Sequence, residues 1–317
     1  MISCVSLFSG VGGIDLGFER AGCKTIFANE FDYHAQQTYK LNFPFVHLDD
    51  RDIKKINEKE IPKADILLAG FPCQAFSIAG KREGFLDNRG RGDLFFDAIR
   101  IAKEMKPRVI FLENVKNLLS HDHGRTFKVI TTTLEKLGYH VTYKVLNSCE
   151  YGNVPQNRER IYIVAFKYKK DFNKFSFPSQ KKLTKTIKDE LEKSVDDVFY
   201  YTDKCKFYKE LQKEIVSPEY LYQWRRKYVR KNVNKLCPTL TANMGTGGHN
   251  VPITIDSNGI RKLTPRECFN FQGFPKKFKF PVIANCHLYK QAGNSVTVPV
   301  ITSIAKQIVK AIGNLEE

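Results

Sequence analysis

Continuous apolar runs recur through the first half of the chain: Ile2–Phe8, Lys24–Asn29, Ala64–Phe71, Arg108–Leu112, Tyr139–Val145 and Ile161–Phe166. Unbroken runs of this length are the pattern of strands covered on both faces, as in a parallel sheet. Between them, Gly13–Ala21, Leu94–Met105 and Thr126–Leu137 carry apolar residues at helical spacing. The strand–helix alternation predicts an α/β fold built on a doubly wound sheet. The pattern changes near Lys167. From there the chain is rich in charge without clear alternation, and Pro238–Asn250 is a Gly, Thr and Asn tract that reads as loop, so a second, smaller and irregular lobe is expected. Val300, Ile301, Ile304, Ile308 and Ile312 then mark a last helix over Val298–Ile312, expected to pack back on the first lobe.

Composition narrows the class without changing this picture. With 317 residues, 42% hydrophobic and 27% charged, the chain is an ordinary globular sequence, which excludes the disordered and collagen-like classes. No apolar run reaches the roughly 18 residues of a spanning helix, and Met1–Phe18 lacks signal-peptide features, so no membrane partner and a cytoplasmic location are expected. The eight cysteines are scattered, with no CxxC pair and no Cys/His cluster at zinc spacing; neither a disulfide framework nor a metal is expected.

Charge adds a functional direction. The net charge of +17 favours a polyanionic partner, though a merely basic soluble protein has the same balance. Lys167–Lys235 holds 19 Lys+Arg against 10 Asp+Glu, a net +9, together with Tyr200, Tyr201, Phe207, Tyr208, Tyr222, Trp224 and Tyr228. Such interleaving suits phosphate contact and base stacking, and equally suits the core of a small lobe.

Five segments carry candidate chemistry. Phe8-Ser-Gly-Val-Gly-Gly-Ile-Asp-Leu-Gly17 follows a strand and opens a helix, with Glu30 twenty positions after Gly10. A glycine turn there lets a ligand lie on bare backbone, and the carboxylate suits two ribose hydroxyls. The spacing is neither GxGxxG nor a P-loop, and it fits an adenosyl ligand or a purely structural turn. Gly70-Phe-Pro-Cys-Gln-Ala-Phe-Ser77 follows a buried strand, where Cys73 faces the ligand crevice as a candidate nucleophile. Phe111-Leu-Glu-Asn-Val115 ends a strand with a carboxylate and an amide, and Glu113 is a site residue, a helix cap or a solvent-facing Glu. In Pro155-Gln-Asn-Arg-Glu-Arg-Ile161, Arg158 and Arg160 share one face if the segment is extended, in a site or in solvent. Gln291-Ala-Gly-Asn-Ser-Val-Thr-Val-Pro299 starts the last helix, as a ligand loop or ordinary cap.

In this order the five segments resemble the bacterial cytosine-C5 DNA methyltransferase family, joined by Asp52-Ile53 and Arg261-Lys-Leu-Thr-Pro-Arg-Glu-Cys-Phe-Asn-Phe-Gln-Gly-Phe-Pro275. The resemblance covers about Ile2–Phe166 and Arg261–Pro299. It implies a Rossmann-like S-adenosylmethionine-dependent methyltransferase domain over 1–167 plus 286–317 and a target recognition domain over 168–285. It also implies a modification enzyme of a restriction-modification system that methylates carbon 5 of a cytosine flipped out of double-stranded DNA, working as a monomer. Cys73 is then the nucleophile at carbon 6, Glu113 the proton or hydrogen-bond donor at N3, Arg160 the cation at O2, and Arg158 a support for the same loop. Burial is expected to raise the Glu113 pKa.

The same resemblance assigns S-adenosylmethionine to Phe8, Gly10, Gly12 and Gly13, its ribose to Glu30 and its adenine amino group to Asp52. Phe31 and Ile53 sandwich the adenine, and Pro72, Leu94, Asn294 and Val296 complete the pocket. For the DNA, the basic loop Ile78–Gly92 with Lys81, Arg82, Arg89 and Arg91 is expected to close over the duplex. Thr239 matches a threonine that the family sets against the backbone beside the flipped base, and Asn243–Asn250 is expected to contribute to base reading. Ala79 has no hydrogen-bonding group with which to fill the vacated gap. Two rivals are a transfer RNA cytosine methyltransferase, marked by Cys-Phe-Thr where this chain has Cys268-Phe-Asn270, and a catalytically inactive DNA-binding protein.

Overall fold

The computed structural model describes residues 1–71, 94–245 and 251–313. The chain divides into two compact units: 1–146 with 159–178 and 302–317, and 147–158 with 179–301. The bounds that the resemblance implies, 1–167 plus 286–317 and 168–285, group the chain differently: here 168–178 falls in the first unit, and 147–158 and 286–301 fall in the second. Tertiary hydrogen bonds within that unit, which leave no mark on composition, hold them there.

The first unit is built on a seven-stranded sheet of order β3-β2-β1-β4-β5-β7-β6. The strands are β1 (Ser3–Leu7), β2 (Lys24–Asn29), β3 (His47–Asp49), β4 (Ile66–Ala69), β5 (Val109–Val115), β6 (His140–Asn147) and β7 (Glu159–Phe166). β1 runs parallel to β2 and β4, β2 to β3, and β4 to β5. β7 runs antiparallel to β5, so the sheet is mixed rather than wholly parallel. Helices α1 (Gly13–Glu19), α2 (Tyr33–Asn42), α3 (Leu94–Met105) and α4 (Arg125–Lys136) belong to the same unit. Ile66, Leu67, Leu68 and Ala69 of β4 are wholly buried, as the central position of that strand requires. Leu67, Ala69, Ile110 and Leu112 share one core with Phe95, Ala98 and Ile101 of α3.

The strand order reverses between β1 and β4. In such sheets a crevice opens outside the carboxyl ends of the strands flanking the reversal. The glycine turn leaves β1 there, Glu30 follows β2, and Gly70 follows β4.

In the second unit, β8 (Tyr222–Arg225), β9 (Tyr228–Lys231), β10 (Ile253–Asp256) and β11 (Gly259–Lys262) form an antiparallel sheet of order β11-β10-β8-β9. It is more regular than the sequence led us to expect, because strands of four residues are too short for alternation to register. Two helices, Asn285–Asn294 and Val298–Ile312, follow, and the second buries Val300, Ile301, Ile304, Ile308 and Ile312.

Candidate active site

The first unit concentrates its chemistry along the carboxyl edge of the sheet. Beyond β1 the backbone turns through positive φ at Phe8 (55°), Gly10 (56°) and Gly12 (84°), and the Gly12 amide donates to the Ser9 carbonyl at 2.8 Å. A Cβ at Gly12 would lie 2.1 Å from Cε2 of Phe43, so only glycine fits. The Glu30 carboxylate accepts from the amides of Gly10 and Asp32, both at 2.7 Å, which joins the glycine turn to the end of β2. Burial raises the pKa of Glu30, and the two amides oppose that rise. The remaining lone pairs of this carboxylate suit a pair of hydroxyl donors. The Asn29 amide ties β2 to β3 and the residues after it by donating to the carbonyls of Asp49 (3.0 Å) and Arg51 (2.9 Å).

Beyond β3, Asp52 caps a single turn of 3-10 helix by accepting from the Lys54 amide at 3.1 Å, with Ile53 buried at its start. Phe31 is 70% exposed, a ring face open to a planar ligand. Leu94, partly buried, opens α3. Phe8, Gly10, Gly12, Gly13, Glu30, Phe31, Asp52, Ile53 and Leu94 therefore all belong to this one unit. Asn294 and Val296 belong to the second, at the end of helix Asn285–Asn294 and just after it. Pro72 lies outside the described residues, as do Cys73, Lys81, Arg82, Arg89, Arg91 and 246–250.

The β5–β7 ladder pairs Glu113 with Tyr162 and Val115 with Arg160, which sets Glu113 and Arg160 diagonally across adjacent strands. Nε of Arg160 lies 3.3 Å from Oε1 of Glu113, and the two side chains are only 13% and 11% exposed. Gly70, at the end of β4, closes the other side: a Cβ there would lie 3.7 Å from Oε2 of Glu113. The sequence reading gave Asn114 no role. Its buried Nδ2 donates to the Phe71 carbonyl at 2.8 Å, fixing the backbone at the end of β4. Its place beside Glu113 in Glu-Asn-Val was the available signal.

The two arginines of Pro155–Ile161 do not act as a pair, because the strand begins only at Glu159. Arg158 is 2% exposed and donates to the carbonyls of Leu240 (2.6 Å), Gly293 (3.0 Å) and Ser295 (2.5 Å). Its guanidinium thus joins three backbone carbonyls of the second unit. Gln156, also unassigned from sequence, accepts from the Leu240 amide and donates to the Phe271 carbonyl. Thr239 donates to the Asn157 carbonyl at 2.7 Å, and Thr241 donates to Asn243 at 2.5 Å. Gly293 makes the packing possible, since a Cβ there would fall 2.1 Å from the Thr241 carbonyl carbon.

Most aromatics of the charged stretch are core. Phe207 and Trp224 stack at 4.4 Å, Tyr222 is buried, and the Tyr200 hydroxyl donates to Asp256. Tyr228 is 61% exposed, in a β8–β9 hairpin whose Arg225, Arg226, Lys227, Arg230 and Lys231 are all exposed.

Comparison with known proteins shows the family and the fold. The model of C-5 cytosine-specific DNA methylases matches residues 2–310. The chain is 57% identical over 316 residues to the Type II methyltransferase M.Bsp6I of Bacillus sp. (strain RFL6), covering 98% of this chain and 100% of that one. It is 43% identical over 311 residues to the Type II methyltransferase M.SsoII of Shigella sonnei, covering 97% and 80%. Its fold is similar to that of the Entamoeba histolytica methyltransferase EhMeth, with a TM-score of 0.75 at 19% identity and 99% of each chain covered.

Proposed function

The chain belongs to the C-5 cytosine-specific DNA methylase family, and from that premise we propose which of its residues carry each step. It is an S-adenosylmethionine-dependent DNA (cytosine-5-)-methyltransferase of the restriction-modification type. The family match and the Type II relatives favour DNA over the transfer RNA alternative and over an inactive DNA-binding protein.

Carbon 5 of cytosine is a weak nucleophile, so the ring must first be activated. The Cys73 thiolate adds to carbon 6, and Glu113 gives a proton to N3 as electron density moves into the ring. Arg160, held 3.3 Å from Glu113, turns a second N–H towards O2 and stabilises charge there. S-adenosylmethionine supplies the electrophilic methyl group that carbon 5 then attacks. Water takes the carbon 5 proton, the electron pair left behind expels the Cys73 thiolate and restores the aromatic ring, and the N3 proton returns to Glu113.

Gly10, Gly12 and Gly13 leave room for the methionine part of the donor, Phe8 packs against it, Glu30 binds the ribose, and Asp52, Ile53 and Phe31 bind the adenine. Pro72 and Leu94 extend that pocket. Double-stranded DNA is the partner of a monomer acting in the cytoplasm, and 168–285 reads the target. Lys81, Arg82, Arg89 and Arg91 contact its backbone, Thr239 supports the backbone beside the extruded base, Asn243 contributes to base reading, and the basic β8–β9 hairpin grips the duplex. A two-stranded ribbon of this kind fits the major groove.

The observation that carries the reading is the Glu113–Arg160 pair beside the glycine turn at one sheet edge. The test is bisulfite sequencing of plasmid DNA from cells expressing the protein, beside Cys73→Ala. Protected cytosines in one short context, absent with the variant, are expected; a pattern unchanged by Cys73→Ala overturns the assignment of the nucleophile.

A further inference from the structure

We propose that Arg100 is a positioning residue for the adenine end of the methyl-donor site, acting through the turn that carries Asp52 and Ile53. The proposal rests on the assignment of those two residues to the adenine. Arg100 lies in α3, and its guanidinium reaches across to the turn after β3. Nη2 donates to the Ile53 carbonyl at 2.5 Å and Nη1 to the Ile56 carbonyl at 2.8 Å. The Glu58 carboxylate accepts from Nη1 at 2.8 Å, and Asp97, one turn earlier in α3, accepts from Nε at 3.0 Å.

The two carbonyls bracket the turn Ile53–Lys55, so one planar group spans it from end to end. The turn has few bonds of its own: the Lys55 amide to the Asp52 carbonyl at 2.8 Å, and the Ile56 amide to the Ile53 carbonyl at 3.2 Å. Three-residue turns of this class are weak alone. The fork of donors on arginine can hold two carbonyls and a carboxylate at once, whereas a lysine ammonium on a flexible stem cannot fix the same plane. Glu58 and Asp97 orient that fork from both sides. Ile53 and Ile56 share a buried core with Phe95 and Ala98 of α3, so the polar clamp and the apolar contact act on the same turn. A shift of the turn would move the Asp52 carboxylate away from the adenine amino group.

Titration calorimetry of the full chain with S-adenosylmethionine, applied to Arg100→Lys, Asp52→Ala and the double variant, tests this. Arg100→Lys is expected to weaken binding about tenfold, the equivalent of one well-made hydrogen bond. The rate at saturating S-adenosylmethionine should stay within about twofold, since the reacting groups are not moved. In the Asp52→Ala background the same substitution should cost much less, because both act through one contact. Unchanged affinity in Arg100→Lys, or losses that simply add, would overturn the proposal. If Asp52→Ala alone binds S-adenosylmethionine as well as the parent, the adenine assignment itself falls. Glu58→Gln loosens the guanidinium without opening the core, and an affinity loss of about threefold is expected from it. Should Arg100→Lys not fold, Glu58→Gln with unchanged affinity overturns the proposal by itself.

Discussion

At Gly12 two constraints coincide, a φ of 84° and the Phe43 ring 2.1 Å from where a Cβ would stand. Gly12→Ala should therefore cost on the order of 2 kcal/mol, from backbone strain and overpacking together. Phe43 stacks on Tyr39 at 4.6 Å, which limits how far the ring can retreat. Denaturant titration reads the cost, and a midpoint equal to that of the parent would show that the turn yields freely. At Glu113 the expected effect is on chemistry instead. Glu113→Gln keeps the shape but removes the proton donor, so kcat should fall by about 10²- to 10³-fold, as when one oxyanion-stabilising donor is lost. Single-turnover rates with S-adenosylmethionine bound check this, and a fall of less than about tenfold would remove Glu113 from the N3 role.

Asp15 joins three elements. Its buried carboxylate in α1 accepts from Ser6 of β1 at 2.9 Å and from the Tyr39 hydroxyl of α2 at 2.8 Å. Burial pushes its pKa up from 3.8 to about 6, although both hydrogen bonds pull it back. The folded state thus holds a proton that the unfolded chain releases first. Stability is greatest below pH 4 for this group and is lost as pH rises through about 6, by about 3 kcal/mol. Asp15→Asn should flatten the rise in Tm expected from this group on going from pH 7 to 5, and an unaltered slope would mean that other groups set it. The same elements show what was legible. Lys24–Asn29, Leu94–Met105 and Val298–Ile312 match their observed bounds because their buried faces are apolar. The α2 helix escaped notice because its buried residues are Ala35, Gln36, Thr38 and Tyr39, a face with little apolar signal. β3 is three residues long, and the direction of β7 is unreadable because parallel and antiparallel strands covered on both faces look alike. Glu113 and Arg160 stood out as motif residues. The work of Arg100 did not, because it bonds backbone carbonyls distant in sequence, which no local pattern encodes.

Across the whole molecule the charge of +17 is not uniformly free to act. In the second unit Lys235 is paired with Glu219 at 2.7 Å, and the Lys231 ammonium lies 3.7 Å above the Tyr220 ring. Arg225 is drawn to Gln223 at 3.2 Å. Arg226 and Lys227 sit at the hairpin tip, exposed, with no acidic residue between Tyr220 and Leu236 to neutralise them. A cation that touches a phosphate releases condensed counterions, and its removal lowers the salt dependence of binding by about one unit of slope. Replacing Arg226 and Lys227 together with glutamine should therefore reduce the slope of log K against log salt by about two. Lys235→Gln should change it far less, because that ammonium already has a carboxylate. Anisotropy of a labelled duplex between 50 and 200 mM salt, roughly the range over which such slopes are read, distinguishes the two. Equal slopes for the tip variant and the parent would detach the hairpin from the DNA and leave target reading to the segment around Thr239 and Asn243.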